Sequence, residues 1–289
     1  MILDNTQLAA FQSAGVIALP GLFSLDEVDA ITARLPELFA ERCPENIREQ
    51  SSDVVRTAMG LHRRDELFAR LVRDPRLVTA AQQILDDDDL YIQQVKVNAK
   101  EAFTGEQWQW HYDFATHHHE DGVPEPLALN LHIFLDEVTE FNGPLIFIPG
   151  SHRDGPAPTA LDTATTSYPL WTVAPDVVTP LAARGGLYSP KGPPGTVLIF
   201  GDTMVHGSPP NMSPWDRRIF SLILNPVSNR QTTFARPDHQ HHRDFAPVRW
   251  RSNTAPISPN SSPARTTPIG VSVPSGAKSI RSTSPSTTR

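Results

Sequence analysis

The chain has 289 residues, 39% of them apolar and 20% charged, with one cysteine and a formal net charge of -7. This composition is typical of a globular protein with a sizeable core, and no stretch approaches the ~18 apolar residues of a membrane span. The acidic balance argues against nucleic acid as a partner, because phosphate binding needs a concentrated basic surface. Cys43 cannot form an internal disulfide, and residues 1–11 lack the pattern of a secretory signal. We therefore expect a cytoplasmic protein that acts on a small molecule, and a homodimer is an assembly that it could form.

The end of the chain differs in composition from the rest. Residues 252–289 are rich in Ser, Thr and Pro and contain no aromatic or acidic residue. Such a segment cannot bury enough apolar area to offset the entropy lost on ordering. We therefore predict one folded domain over residues 1–251 and a disordered tail over residues 252–289.

Helical patterns dominate the first third of the chain. A short helix followed by a strand is expected within residues 7–20, and Ser24 and Glu27 have the spacing of a capping box. After that box, apolar residues recur at helical spacing: Leu25, Val28, Ile31, Leu35 and Leu38. Another helix is expected over residues 66–85, broken in two by Pro75. These helices carry no chemical motif, so we expect them to support a sheet.

Short apolar or alternating segments follow from residue 90 onward, and most are bounded by Gly, Pro, Asn or Asp. The predicted strands are 91–98, 107–111, 127–135, 145–149, 195–200 and 219–226. Helices followed by strands predict an α+β chain whose second part is a β sandwich or jelly roll. Residues 154–194, rich in Pro, Thr and Gly, are predicted to form a long loop of the kind that often serves as a lid.

One group of residues has the pattern of a metal site. His111 and Asp113 stand where a predicted strand runs out into a loop, and side chains i and i+2 of an extended chain point the same way. His206 follows another apolar strand and could supply a third ligand. Two His and one carboxylate form the facial triad of non-haem Fe(II) oxygenases. The alternative is that His111 and Asp113 are a hydrogen-bonded pair at the surface.

Arg217 opens the apolar strand at 219–226, where an arginine is costly unless it has a partner. A guanidinium there suits a bidentate pair with a carboxylate, which a dicarboxylate co-substrate would supply. The alternative is an ordinary salt bridge, which Arg218 could also make.

Two histidine-rich runs, residues 117–119 and 239–242, raise the question of a second metal site. Consecutive residues of an extended strand point to alternate sides and cannot all bind one ion. Solvated roles or polar roles in a pocket are therefore expected, and His117 alone is a candidate substrate contact.

Several motif blocks, in their order and spacing, resemble the phytanoyl-CoA dioxygenase family and, within it, ectoine hydroxylases. The block N-G-P-L-x-x-I-P-G-S-H at residues 142–152 is long and specific. The other blocks are W-H-x-D-F at 110–114, E-D-G at 120–122, H-G-S at 206–208 and P-W-x-R at 214–217. The likeness extends from about residue 5 to 245.

This resemblance implies a double-stranded β-helix (jelly-roll, cupin-like) core, Fe(II), 2-oxoglutarate as co-substrate and O2. It implies that the catalytic iron ligands are His111, Asp113 and His206, and that Arg217 holds the distal carboxylate of 2-oxoglutarate. Further co-substrate contacts are implied for Ser208, Gln94 and Asn98. The implied reaction is hydroxylation of an unactivated C–H bond with release of succinate and CO2.

The chain also departs from the ectoine hydroxylase pattern. Trp108 stands where a phenylalanine is expected, His117 where a tryptophan is expected, and Ser221 where an aromatic residue is expected. The expected substrate is therefore a small amino-acid-derived metabolite, either ectoine or a free or modified amino acid. The candidate substrate contacts are Trp108, His117, Phe200 and Arg236. Core packing is the alternative for the aromatic residues and a surface position for the arginine, and the rival function is a non-catalytic member of the fold that binds a small ligand or a partner.

Overall fold

A computed structural model describes residues 2–165, 167 and 169–250 of the chain. The α-helices in this part are α1 (Asn5–Ala14), α2 (Leu25–Thr32), α3 (Leu35–Ala40), α4 (Glu66–Leu71), α5 (Pro75–Leu85), α6 (Asp113–Asp121) and α7 (Pro175–Gly185). The strands in the same part are β1 (Val16–Leu19), β2 (Asn46–Arg48), β3 (Val55–Met59), β4 (Leu90–Lys100), β5 (Trp108–His111), β6 (Leu129–Phe134), β7 (Ile146–Phe147), β8 (Ala160–Asp162), β9 (Leu170–Thr172), β10 (Val197–Gly201), β11 (His206–Ser208) and β12 (Arg217–Pro226). Among the described residues, no helix is both long enough and apolar enough to cross a bilayer.

The strands form two antiparallel sheets. The major sheet has the order β1-β10-β6-β12-β4-β3-β2, and the minor sheet has the order β7-β11-β5-β9-β8. Residues of both sheets line one cavity between them, which we call the central cavity. This is the predicted α+β architecture with a double-stranded β-helix core.

The major sheet separates an apolar layer from the polar lining of the central cavity. Because side chains alternate along a strand, β12 directs Phe220, Leu222 and Leu224 into the core shared with the N-terminal helices. Arg217 and Ile219, which belong to the opposite face of the same strand, line the cavity instead. Strand β6 alternates in the same way and is buried at all six positions. The sheet is therefore fixed on one face by apolar packing, which leaves the other face free to carry polar residues.

The helical predictions are largely confirmed. Ser24 and Glu27 form the predicted capping box of α2, and the helix predicted over residues 66–85 is broken before Pro75 into α4 and α5. One expectation is wrong, namely that Leu25 belongs to the apolar face of this helix. Leu25 is 61% exposed, because the first turn of α2 faces solvent. The chain also breaks between α2 and α3, so the apolar face is divided between two short helices.

Two predictions about connections are wrong. Residues 154–194 are not a long loop, since they include β8, β9 and α7. Strand β5 runs into α6 rather than into a loop. Weak or short apolar patterns explain why β2, β3, β8, β9 and β11 were not predicted. The predicted disordered tail at 252–289 lies outside the described residues, and the domain boundary at 251 stays a prediction.

Candidate active site

His111 and His206 lie side by side on neighbouring strands of the minor sheet. They are direct partners in the antiparallel pairing of β5 with β11, and their ring centroids lie 4.2 Å apart. Nδ1 of His111 lies 2.6 Å from the carbonyl oxygen of Gln109, and Nδ1 of His206 lies 2.8 Å from that of Met204. Since a carbonyl only accepts, each Nδ1 carries a proton, and Nε2 is the nitrogen of each ring that remains to face a metal.

Asp113 completes the cluster from the first turn of α6. Tyr112 before it is extended (φ -135°, ψ 146°), so the carboxylate returns to the side of the sheet that carries His111. The carboxylate oxygen lies 3.9 Å from His111 Nε2, and one ligand atom from each of the three residues lies within 4.8 Å of the others. Its position at a helix N-terminus also favours the ionised form.

The protonation states suit a cation. Burial, together with the neighbouring His206, lowers the pKa of His111 to about 3, so its ring is neutral. Burial alone would raise the pKa of Asp113, but His206 and Lys96 outweigh it and the net pKa lies below the ordinary value. Two imidazoles and one carboxylate are a donor set that fits Fe(II) and leaves further positions open. These residues could therefore hold the metal.

Arg217 lies in the central cavity, 2% exposed, with Nη2 3.4 Å from Ser208 Oγ. Within the described residues its Nε has no hydrogen-bond partner. Burial lowers its pKa to about 10. The acid that acts on it electrostatically, Asp136, is bound by Arg218 through two hydrogen bonds of 2.6 and 2.8 Å. A buried guanidinium with no acid of its own fits the distal carboxylate of a dicarboxylate co-substrate.

Lys100 lies beside this guanidinium and was not predicted from the sequence. It is the cross-strand partner of Arg217, and its ammonium donates to the carbonyl oxygens of Ser208 and Pro209. Ser208 Oγ in turn donates to the carbonyl of Gly143 at 2.8 Å. Gly143 has φ +73°, and a Cβ there would lie 2.8 Å from the Lys100 side chain. The N-G-P-L block therefore packs against the Lys100 side chain, next to Arg217.

Gln94 and Asn98 both line the central cavity from β4. Gln94 Nε2 donates to the carbonyl of Gln240 at 2.5 Å, and within the described residues its Oε1 has no partner. Asn98 Oδ1 accepts from Thr57 at 3.0 Å. Both are placed where a ligand of the cavity could contact them. Ser208 is placed at the cavity only through its contact with Arg217.

Trp108 and His117 also line the cavity. The guanidinium carbon of Arg56 lies 3.9 Å from the centroid of the Trp108 ring, which fixes this wall. His117 is buried on α6, and its Nδ1 lies 3.1 Å from a carboxylate oxygen of Asp202. Burial raises the pKa of Asp202, and His117 partly offsets this effect. The imidazole is therefore held by a buried carboxylate at the cavity wall.

Two predicted substrate contacts are differently placed. Phe200 is fully buried and does not line the cavity; its ring packs against His206 at 5.1 Å and so supports the triad. Arg236 lines the cavity rather than the surface, but its guanidinium is bound by the buried carboxylate of Asp121. The same carboxylate lies 2.6 Å from Nδ1 of His241.

The histidine runs also differ from expectation. Residues 117–119 are helical rather than extended, so only His118 and His119 are exposed. His241 and His242 are each 1% exposed, which contradicts a solvated role. Among the described residues, the one cluster of His, Cys, Asp or Glu side chains that could hold a metal is the triad. The second-metal interpretation is therefore not supported there.

Other polar residues of the cavity were missed by the sequence reasoning. Lys96 lines it from β4, and Asn130 and His132 line it from β6. Burial, together with nearby Lys96, lowers the pKa of His132 well below its usual value, so the ring is neutral. The position of Lys96 could have been predicted from the sequence. Polar residues at 94, 96, 98 and 100 alternate with apolar ones and so share one face of a strand.

Comparison with known proteins places the chain in a family. The family model described as phytanoyl-CoA dioxygenase (PhyH) matches residues 11–219. An L-proline trans-4-hydroxylase from Streptomyces griseoviridis is 38% identical over 247 residues, which cover 81% of this chain and 91% of that protein. An ectoine dioxygenase from Sphingopyxis alaskensis is 36% identical over 234 residues, which cover 78% and 76%. The crystal structure of EctD from S. alaskensis with 2-oxoglutarate and 5-hydroxyectoine matches with a TM-score of 0.76 at 34% identity, covering 86% of this chain and 87% of that one.

The chain belongs to the phytanoyl-CoA dioxygenase family. It is an Fe(II)- and 2-oxoglutarate-dependent dioxygenase that uses O2 to hydroxylate a small amino-acid-derived substrate, with release of succinate and CO2. The rival interpretation of a non-catalytic binding protein is therefore wrong.

Proposed function

We propose that the substrate is a free cyclic α-amino acid of about the size of proline, hydroxylated at a ring carbon in the central cavity. One observation carries this proposal: basic side chains line the cavity that holds the triad, among them Lys96 and Arg217. Among the described residues that line the cavity, Asp113 is the one acid, and it belongs to the triad. A substrate with a free carboxylate fits such a wall.

The same wall favours an amino acid over ectoine. His117 and Ser221 replace the two aromatic residues that the likeness to ectoine hydroxylases predicts, so an aromatic cage is lacking at both positions. The 38% identical relative named L-proline trans-4-hydroxylase supports a proline-like substrate. The imidazoles and the amides around the cavity can satisfy a secondary amine as well as a carboxylate.

In this proposal His111, Asp113 and His206 hold Fe(II), and Arg217 with Lys100 binds the distal carboxylate of 2-oxoglutarate. When bound, the iron and the keto acid convert O2 to the oxidant that attacks a C–H bond. The residues of the chain orient the two organic reactants and exclude water.

Apolar residues of the cavity wall help to exclude water from the reaction. Trp108, fixed by Arg56, and Leu170, which is 5% exposed, contribute apolar surface to the cavity. A dry wall protects a reactive oxidant from side reactions with solvent.

The direct test is succinate formation by the Fe(II)-loaded enzyme with a panel of L-proline, L-pipecolate, L-lysine, L-arginine, N-acetyl-L-proline and ectoine. L-Proline or L-pipecolate should stimulate succinate release and give a product heavier by one oxygen atom. Ectoine should give no more succinate than the substrate-free control. Stimulation by ectoine equal to or above that by every amino acid would overturn the proposed substrate class.

Three predictions about context accompany this proposal. We propose that the enzyme acts in the cytoplasm, that it forms a homodimer, and that residues 1–251 fold without the tail. Cell fractionation, sedimentation of the purified chain and limited proteolysis test them in turn.

A further inference from the structure

Three polar side chains form a row across the face of the major sheet that borders the central cavity. Ser221 in β12 is the direct partner of Lys96 in β4 on one side and of His132 in β6 on the other. Direct cross-strand partners present their side chains on the same face. Lys96 and His132 both line the central cavity. We call these three residues the central row.

The central row has unused hydrogen-bonding capacity. Ser221 is 0% exposed and His132 is 4% exposed. Within the described residues, neither Ser221 Oγ nor either ring nitrogen of His132 has a hydrogen-bond partner. Buried polar groups left in this state destabilise a protein unless a ligand satisfies them.

The charge of Lys96 is also available to a ligand. Burial lowers the pKa of Lys96, Arg236 adds to this effect, and the acids that oppose it are Asp113 and Asp202. Asp113 belongs to the triad, and Asp202 is engaged by His117. A ligand anion at the central row would therefore meet an ammonium group that no other carboxylate of the described residues takes up.

We infer that the central row is the subsite for the carboxylate of the substrate. The ammonium of Lys96, the hydroxyl of Ser221 and one ring N–H of His132 are three donors on one face, which matches the acceptor capacity of a carboxylate. This inference deepens the proposed function and rests on it, because it assigns the binding group of the amino-acid substrate.

The other cations of the cavity are less suited to this task. The guanidinium of Arg236 is already bound by Asp121. Arg217 lies four residues from Ser221 on the same strand, roughly 13 Å away at 3.3 Å per residue, so the co-substrate carboxylate and the substrate carboxylate have separate places.

The central row also accounts for the serine at position 221. The likeness to ectoine hydroxylases predicts an aromatic residue at position 221. In this chain the ring beside that position is that of His132, on the neighbouring strand. The His132 ring packs edge-on against Phe200, with centroids 4.8 Å apart. The polar ring of His132 thus lies beside the small hydroxyl of Ser221. An aromatic side chain at position 221 would remove this hydroxyl donor.

The test compares a carboxylate with its uncharged amide in the full-length enzyme with Fe(II) and 2-oxoglutarate. Lys96→Met should raise the KM for L-proline about 10- to 100-fold while leaving the KM for 2-oxoglutarate within about twofold. Wild type should prefer L-proline to L-prolinamide, and Lys96→Met should lose most of that preference. Lys96→Arg keeps the cation and should restore part of it. Lys191→Met removes an exposed lysine and is the matched control.

Two results would contradict the inference. One is a rise in the KM for 2-oxoglutarate, rather than for L-proline, in Lys96→Met. The other is loss of the carboxylate preference in Arg236→Gln but not in Lys96→Met.

A binding experiment separates this inference from the proposed function. Under nitrogen, calorimetry with Fe(II) and 2-oxoglutarate present should detect cyclopentanecarboxylate binding to wild type and not to Lys96→Met, with cyclopentanecarboxamide weak in both. Equal affinity of wild type for the two probes would overturn the subsite even if amino acids are turned over. If no amino acid is turned over, the proposed function is overturned. The calorimetric comparison of the two probes then decides by itself whether the central row binds a carboxylate.

Discussion

Arg217 and Arg218 are neighbours in β12 but serve opposite faces of the major sheet. Arg217 is buried in the central cavity, and in the described part of the chain its Nε has no partner, whereas Arg218 binds both carboxylate oxygens of Asp136 outside the cavity. The alternation of a strand directs one arginine into the cavity and the other to an internal salt bridge.

Arg217→Ala should therefore weaken 2-oxoglutarate binding by about 2–5 kcal/mol, as expected when one partner of a buried charge pair is removed. The KM for 2-oxoglutarate measures this effect. Arg218→Ala is the matched control and should change that KM by less than about threefold. A similar rise in both variants would contradict the assignment of Arg217.

Asp113→Ala should abolish coupled hydroxylation, because it removes the one carboxylate of the triad. Product formation by mass spectrometry, together with iron content, tests this prediction. Asp176 is the matched control, since it is also an acid in the first turn of a helix but lies exposed on α7. Activity of Asp113→Ala equal to that of Asp176→Ala would refute the role of Asp113.

Asp121→Asn should destabilise the fold by about 3–5 kcal/mol, because it leaves the Arg236 guanidinium without its buried counter-charge. Denaturant unfolding measures the change. Asp89→Asn breaks an ion pair with Arg249 in which both side chains are more than 60% exposed, and should cost less than about 1 kcal/mol. Equal costs for the two variants would show that burial of Asp121 does not matter.

Stability should fall in acid partly through His62. Burial, with Arg63 and Arg73, lowers its pKa in the folded protein to about 4. Between that value and the ordinary value near 6.5 the unfolded chain binds more protons, so the free energy of unfolding decreases as the pH falls through this window.

His62→Phe keeps a ring beside His242, whose centroid lies 4.6 Å away, and removes the titration. The free energy of unfolding, measured from about pH 7 to pH 4, should therefore fall less steeply than in wild type, by up to about 1.4 kcal/mol per pH unit. An unchanged slope would contradict the predicted shift.

Much of the fold follows from local patterns. The capping box of Ser24 and the break before Pro75 are both observed, because caps and prolines act through neighbouring residues. The segment 154–194 was predicted wrongly as a loop, since β8 and β9 are only three residues each and gain their stability from pairing at a sheet edge. Such pairing depends on partners distant in the chain.

The site was predicted unevenly for a similar reason. His111, Asp113 and His206 could be named because their chemistry is distinctive, and the structure brings them together. Phe200 could not be assigned, because whether an aromatic ring lines a cavity or packs behind a ligand depends on the opposite sheet. Lys96 was overlooked although its strand face was readable from alternation.

The account depends most on a single iron site shared by β5, α6 and β11. Anaerobic titration of the full-length protein with Fe(II) and 2-oxoglutarate measures this site directly, with the visible absorption band of the resulting complex as the readout. In wild type this band should reach its full intensity at one equivalent of iron per chain, and in His206→Ala it should not form. A full band in His206→Ala, or none in correctly folded wild type, would contradict the account.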